Sequence, residues 1–351
     1  MASKDEGDTA LTVEEVPAEL DAVEPASLAG RGQGMVARRD IAAGEALVSE
    51  TALASIVFDE WGHLVCHQCF AALPLSKDKK IPCGGCLMVC YCSEGCQAAA
   101  APLHDSECAA LARLDTDILN PAEASSARLF VKLLCRRADE LADAEGDGGS
   151  AVQACLDALV TNEEAMSDER MIELEMVVEA VNEAVGRDAE MDGDALLGYL
   201  CAAQCNSFSI WAQNGVCPSG QLLGKRLGFG LFPTLAKLNH SCLPNATVSE
   251  QAHGHRRLLT ARALTNIPQG EEVVISYSAA GLLLAPEQRA AWLLRSFLFT
   301  CRCELCAAPS EEAKGLVKRF NTHFRCVIKA CAGLRYPLLD AEGVAKGDGV
   351  V

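Results

Sequence analysis

Apolar positions along this chain follow two rhythms, and they alternate. Between Leu28 and Val57 the apolar residues fall in short runs, Met35–Arg39, Ala46–Glu50 and Leu53–Val57, separated by glycine-bearing turns. Runs of that length bounded by turns read as strands. From residue 110 to 205 the spacing lengthens to three and four, which predicts helices over Ser125–Asp143, Ala151–Val160, Ser167–Val185 and Asp194–Gln204. The stripe Met171, Leu174, Val178, Val181 and Val185 lies on one helical face and reads as core packing. Glu145–Ser150 reads as a loop. After Cys205 the short runs return at Ala246–Glu250, Arg257–Arg262 and Glu272–Ser276. Pro286 then opens a helix reaching about Phe297, because its fixed φ suits the first helical turn. A last short helix is predicted over Glu311–Phe320, ahead of a glycine-rich end, and there is no internal repeat.

Composition narrows the choice of class. Half of the 351 residues are hydrophobic, enough for a sizeable core in roughly two or three modules. No uncharged apolar run is long enough for a membrane helix. The opening MASKDEGDTALTVEEVPAELD is acidic and lacks a basic segment followed by an apolar one, so it reads as a solvated tail and not a secretion signal. A net charge of −18 disfavours bare nucleic acid, which needs a basic surface, and suits a Lys- and Arg-rich peptide. Nineteen cysteines without a secretory signal point to metal and away from disulfides.

The cysteines are clustered. Residues 66–108 hold eight of them and little apolar periodicity; so short a segment cannot bury a normal core and needs a metal staple. The spacing is Cys66-x2-Cys69, Cys83-x2-Cys86, Cys92-x3-Cys96 and His104-x3-Cys108. A tetrahedral zinc takes four nitrogen or sulfur ligands, and a C-x2-C turn aims two thiolates at one ion about 2.3 Å away. Eight ligands in four pairs make two sites. Cys92 with Cys96, and His104 with Cys108, are spaced as on helical turns, each pair on one face. Further along, Asn239-His240-Ser241-Cys242-Leu243-Pro244-Asn245 is a polar run inside an apolar stretch. Burying it is costly unless every group is hydrogen-bonded or bound to a ligand.

The first cluster resembles the MYND finger, including its Tyr91–Cys92 step, although Ala101 replaces a Trp common before Pro-x-His. In that family the pairs interleave. The resemblance therefore implies one ion on Cys66, Cys69, Cys92 and Cys96, and another on Cys83, Cys86, His104 and Cys108, with Cys90 left as a buried thiol.

The run from Asn239 to Asn245 resembles the signature of the SET domain, and other elements occur in that family's order. Arg31-Gly32-Gln33-Gly34 resembles its glycine-rich strand turn, and Asn206-Ser207-Phe208-Ser209-Ile210 the segment after its helical insert. Gly270-Glu271-Glu272-Val273-Val274-Ile275-Ser276-Tyr277 resembles the strand ending in the active-site tyrosine. Cys301-x-Cys303-x2-Cys306 resembles the post-SET zinc triad. Together, over roughly residues 28–306, these identify the chain as resembling the SET-and-MYND protein-lysine methyltransferases.

That resemblance carries specific implications. The fold class is α+β: a mostly-β SET domain of small curved sheets with pseudoknot-like threading, interrupted by a MYND finger and a helical insert. The implied division is an acidic tail at 1–25, the SET N-terminal part at 26–65, the finger at 66–108 and the helical insert at 109–200. The SET core follows at 201–299, the post-SET zinc site at 300–308 and a short extension at 309–351. S-adenosylmethionine would lie in a pocket lined by Arg31, Gly32, Gln33, Asn206, Asn239, His240 and Tyr277, with Phe299 near the adenine. Cys242 would complete the tetrahedral set of Cys301, Cys303 and Cys306, making three zinc ions in all and one wall of a lysine channel. Tyr277 would be catalytic, orienting the amine, with Ile275 on the same strand face.

The implied function is methyl transfer to lysine of a histone or non-histone protein, in nucleus and cytoplasm, by a monomer whose finger also offers a surface for a peptide. No direct contact with nucleic acid or membrane is implied. The rival reading is a catalytically weak MYND and SET interaction protein. It draws on Phe297, which stands where a second channel tyrosine is expected, and on the 45 residues that follow Cys306 where relatives carry helical repeats. Cys326-x4-Cys331 has no assigned role.

Overall fold

A computed structural model of the chain describes residues 22–144, 149–212, 225–278, 286–307 and 311, and the backbone of 338–339 and 345–346. The first hairpin pairs β1 (Val23–Leu28) with β2 (Gly32–Ala37), Val23 opposite Ala37. Residues 23–25 are thus strand where a tail was expected, and Ala22 is fully buried. Pro25 is tolerated in β1 because that strand pairs on one edge only, so the missing N–H breaks no ladder. The rest of the expected tail lies outside the described residues.

Two three-stranded antiparallel sheets carry the β part. One orders β10 (Ala246–His253), β11 (Arg256–Ala263) and β3 (Ala46–Thr51); the other orders β4 (Ala54–Val57), β8 (Arg226–Leu231) and β7 (Ser207–Trp211). Gly228 in β8 is required by sterics, since a Cβ there would lie 1.9 Å from the Ile56 carbonyl oxygen. The predicted strand Glu272–Ser276 contracts to β12 (Val274–Ile275), which runs parallel to β9 (Asn239–His240). The Asn245 side chain substitutes for ladder partners there: it accepts from Val274 N at 2.8 Å and donates to the Glu272 carbonyl at 2.8 Å.

Helices α2 (Pro121–Asp143), α3 (Ala151–Asp157), α4 (Asp168–Val185) and α5 (Gly193–Asn206) form the insert, close to the predicted spans. Helix α2 begins at a capping box in which Asn120 and Glu123 bond each other's backbone, with Pro121 first in the helix. Helix α6 (Pro286–Phe297) matches its prediction, and a single turn, α7 (Glu304–Ala307), follows. Only the start of the Glu311–Phe320 helix, part of the Glu145–Ser150 loop and neither Cys326 nor Cys331 fall within the described residues.

The finger differs most from expectation. A short pair, β5 (Ile81–Pro82) with β6 (Cys90–Tyr91), precedes a long helix α1 (Glu94–Arg113), capped by Ser93 and running past residue 108. Its sequence is alanine-rich, so helix propensity is high while apolar periodicity is weak. Cys92 sits before the cap and not on the helix, unlike Cys96. Nor is the finger without a core: Leu73, Val89 and Tyr91 belong to the same buried cluster as Leu129, Phe130 and Leu133 of α2.

Candidate active site and metal centres

Parallel pairing of β9 with β12 places the polar run beside the strand that ends in Tyr277. Ser241 N donates to the Ile275 carbonyl at 2.9 Å, and Tyr277 N donates to His240 Nδ1 at 3.0 Å. Since Nδ1 accepts, the His240 proton sits on Nε2, which lies 3.3 Å from Cys242 Sγ. Burial holds His240 neutral, with its pKa pushed down to about 4. The imidazole therefore links the tyrosine strand to the C-terminal cysteine cluster.

The β1–β2 turn closes onto the same run. Arg31 donates to the His240 carbonyl at 2.9 Å and pairs with Glu272 at 3.0 Å. Asn239 Nδ2 donates to the Gln33 carbonyl and to Glu272 Oε1, both at 3.0 Å. Gly34 makes this approach feasible, for a Cβ there would come within 2.7 Å of Asn239 Nδ2. Gly32 is needed for its backbone, at φ +71°, and has open space beside it. The Gln33 side chain turns away to Ser27 at 3.0 Å. Glu272 thus gathers Arg31 and Asn239, a role its position beside Glu271 in an acidic pair concealed.

Tyr277 is the junction. Its ring lies 4.7 Å from Phe297 and 5.2 Å from His240, with Phe299 edge-on at 6.3 Å. Its hydroxyl donates to the Leu238 carbonyl at 2.9 Å, a partner with no sequence signal. Burial raises its pKa, so the phenol stays protonated at neutral pH. On one side opens a cavity of about 990 Å³ whose lining includes Leu238, Leu243, Ile275, Tyr277 and Phe297. Asn206 lines this cavity, its side chain bonded to the Val160 and Ala202 carbonyls at 2.9 and 2.7 Å. Arg31, Gly32, Gln33, Asn239, His240 and Phe299 lie outside that lining. Of the residues expected around one cofactor, Asn206 and Tyr277 face the cavity, while the others gather around the turn and the polar run.

Three donor sets come together, each with its ligand atoms within 4.8 Å of one another: Cys66, Cys69, Cys92 and Cys96; Cys83, Cys86, His104 and Cys108; Cys242, Cys301, Cys303 and Cys306. Four sulfur or nitrogen donors converging at that spacing suit tetrahedral zinc. In the second set His104 directs Nε2 toward Cys83 Sγ at 3.2 Å, while its Nδ1 meets Glu107 at 3.2 Å. Burial works to raise the Glu107 pKa, but Lys132 at 2.5 Å and His104 hold it below the usual range. A carboxylate behind a ligating histidine fixes its tautomer. The third set joins β9's end to the segment after α6, tying elements 59 residues apart.

At 13% identity and a TM-score of 0.43, one solved structure, "Crystal structure of the SET domain of LSMT bound to Lysine and AdoHcy", covers 82% of this chain and 54% of its own. The mouse protein named histone-lysine N-methyltransferase Smyd1 is 27% identical over 300 residues, covering 82% of this chain and 56% of its own length. The Arabidopsis thaliana histone-lysine N-methyltransferase ASHR1 is 26% identical over 311 residues, covering 88% and 59%. The Gallus gallus N-lysine methyltransferase SMYD2 is 29% identical over 296 residues, covering 83% and 62%. The chain spans less than two thirds of these relatives. A family model described as the SET domain matches residues 32–278, well over half of the sequence, and the chain belongs to the SET domain family.

Proposed function

We propose that the chain transfers a methyl group from S-adenosylmethionine to lysine side chains of a basic protein or peptide, histone or non-histone. The observation that carries this reading is Tyr277, a protonated, fixed hydroxyl at the wall of a largely apolar cavity. The cofactor supplies an electrophilic methyl on a sulfonium sulfur. Its binding residues in this reading are Arg31, Gly32, Gln33, Asn206, Asn239, His240, Tyr277 and Phe299. A lysine entering among Leu238, Leu243, Ile275 and Phe297 is desolvated, which lowers its pKa and favours the neutral amine. The Tyr277 oxygen donates to Leu238 and keeps lone pairs to accept an amine N–H, so it orients the nucleophile. Its raised pKa excludes it as a base at neutral pH.

The same reading assigns three structural zinc ions to the three donor sets, and the chain to SET segments flanking a finger and a helical insert. It places a monomer in nucleus and cytoplasm, with the finger's outer face open to a peptide partner. The relatives named as histone-lysine and N-lysine methyltransferases support the substrate class, as does the net charge of −18.

The test is transfer of a radiolabelled methyl group to core histones and to a cell lysate, followed by mass spectrometry of the labelled proteins. Label on lysine is the expected result. Cofactor binding without transfer to any protein would instead favour the interaction protein, with Phe297 against Tyr277 as its structural mark.

A further inference from the structure

Each of the three cysteine sets has a histidine in its hydrogen-bond network. In the third, His240 Nε2 approaches Cys242 at 3.3 Å; in the second, the ligand His104 is backed by Glu107. In the first, the contact arrives from 159 residues away: His255 Nδ1 lies 3.2 Å from Cys96 Sγ. His255 follows Gly254, at φ +55°, in the turn that joins β10 to β11. Gly95, in the first turn of α1, leaves room for the ring: a Cβ there would lie 2.9 Å from His255 Cε1. His255 is not among the donors that lie within 4.8 Å of one another, so it touches one sulfur without joining the set.

We propose that His255 is an outer-shell hydrogen-bond donor to the Cys96 thiolate, and so a positioning residue that pins the β10–β11 hairpin to the first finger zinc. The proposal rests on the zinc assignment above. A zinc-bound thiolate has lost its proton and can only accept, so Nδ1 carries the hydrogen. Outer-shell donors orient the ligand and moderate its charge, and their loss costs roughly ten- to a hundredfold in metal affinity. The hairpin is also a wall of the candidate active site, because Ala246, Thr247, Val248, Ser249 and Glu250 of β10 line the large cavity. Metal in the finger thereby helps to place a surface that faces substrate, across a contact no local motif encodes.

The experiment follows release of zinc from the full chain to an excess of chromogenic chelator. In His255→Phe, one of three equivalents should leave about tenfold faster or more, the other two at the parent rates. His255→Asn, which keeps a side-chain N–H, should move back toward the parent. Gly95→Ala should reproduce His255→Phe by displacing the ring, although alanine is the better helix former. Amide exchange over 246–263 should rise in His255→Phe. Parent release rates for all three equivalents in His255→Phe, or equal acceleration of all three, would overturn the proposal. Fewer than three equivalents in the parent protein would instead fail the zinc assignment beneath it.

Discussion

A hydroxyl that already donates to a backbone carbonyl has a fixed direction, and this is the state of Tyr277, whose ring is held among His240, Phe297 and Phe299. Tyr277→Phe keeps that packing and removes only the oxygen. With Phe297 offering no second hydroxyl, turnover should fall about a hundredfold, or about 3 kcal/mol, with cofactor affinity nearly unchanged. Titration of S-adenosylhomocysteine beside single-turnover kinetics separates the two quantities, and parent turnover would reduce Tyr277 to packing. Ile275 and Tyr277 both line the cavity, as alternation along the strand predicts. Ile275→Tyr adds a hydroxyl and bulk there, so mass spectrometry of the products should shift toward monomethyl-lysine. Asn239 is different in kind, since its amide holds the β1–β2 turn through Gln33 and Glu272. Asn239→Ala should cost about 1 kcal/mol in denaturant unfolding besides weakening cofactor binding, because Glu272 loses a half-buried hydrogen-bond partner.

At the scale of elements, the hairpin β1–β2 reaches the polar run only because Gly34 has no side chain. Gly34→Ala would set a methyl 2.5 Å from Leu28 Cδ1 and 2.7 Å from Asn239 Nδ2. An overpacking penalty of about 1–3 kcal/mol is expected, together with loss of S-adenosylhomocysteine binding measured by calorimetry. Unchanged affinity would detach the turn from the pocket. The insert helices announced themselves in sequence because an amphipathic period survives wherever one face is buried, although α2 begins at Pro121, ahead of the predicted Ser125, at a start signal of Asn120, Pro121 and Glu123 that periodicity does not register. Helix α1 did not, and the strand predicted over Glu272–Ser276 contracted to β12. The first buries cysteines and alanines without a regular stripe; the second is two residues long and completed by the Asn245 side chain.

For the whole molecule, the finger's fusion with the helical layer changes what metal removal should do. Small zinc modules standing alone unfold without their ion. Here Leu73, Val89 and Tyr91 pack into one core with α2, so chelation should loosen the ligand loops and spare the helices. Hydrogen exchange should rise over residues 66–96 while α2 and α4 stay protected; collapse of α2 together with the finger would show one cooperative unit. Elemental analysis of chelator-free protein should give close to three zinc per chain, the third set being the bridge between β9 and the segment after α6. A value near two would leave one of the three donor sets without metal.

Ligand identity is a local matter, and the sequence alone determined it: the C-x2-C spacings, the Asn-His-Ser-Cys run and the helical and strand periods all act over a few residues. Pairing is not local. Which cysteines share a set was legible only through resemblance to a family, since spacing allows several combinations; in space the donors meet within 4.8 Å. Only the tertiary structure put Glu272 between Arg31 and Asn239, the Leu238 carbonyl under Tyr277 and His255 on Cys96. Those contacts span 33 to 241 residues or depend on a backbone carbonyl, which every residue possesses and no sequence pattern marks. A hydrogen bond is decided by where two atoms arrive, and the chain's path through its sheets, not its local chemistry, brings them there.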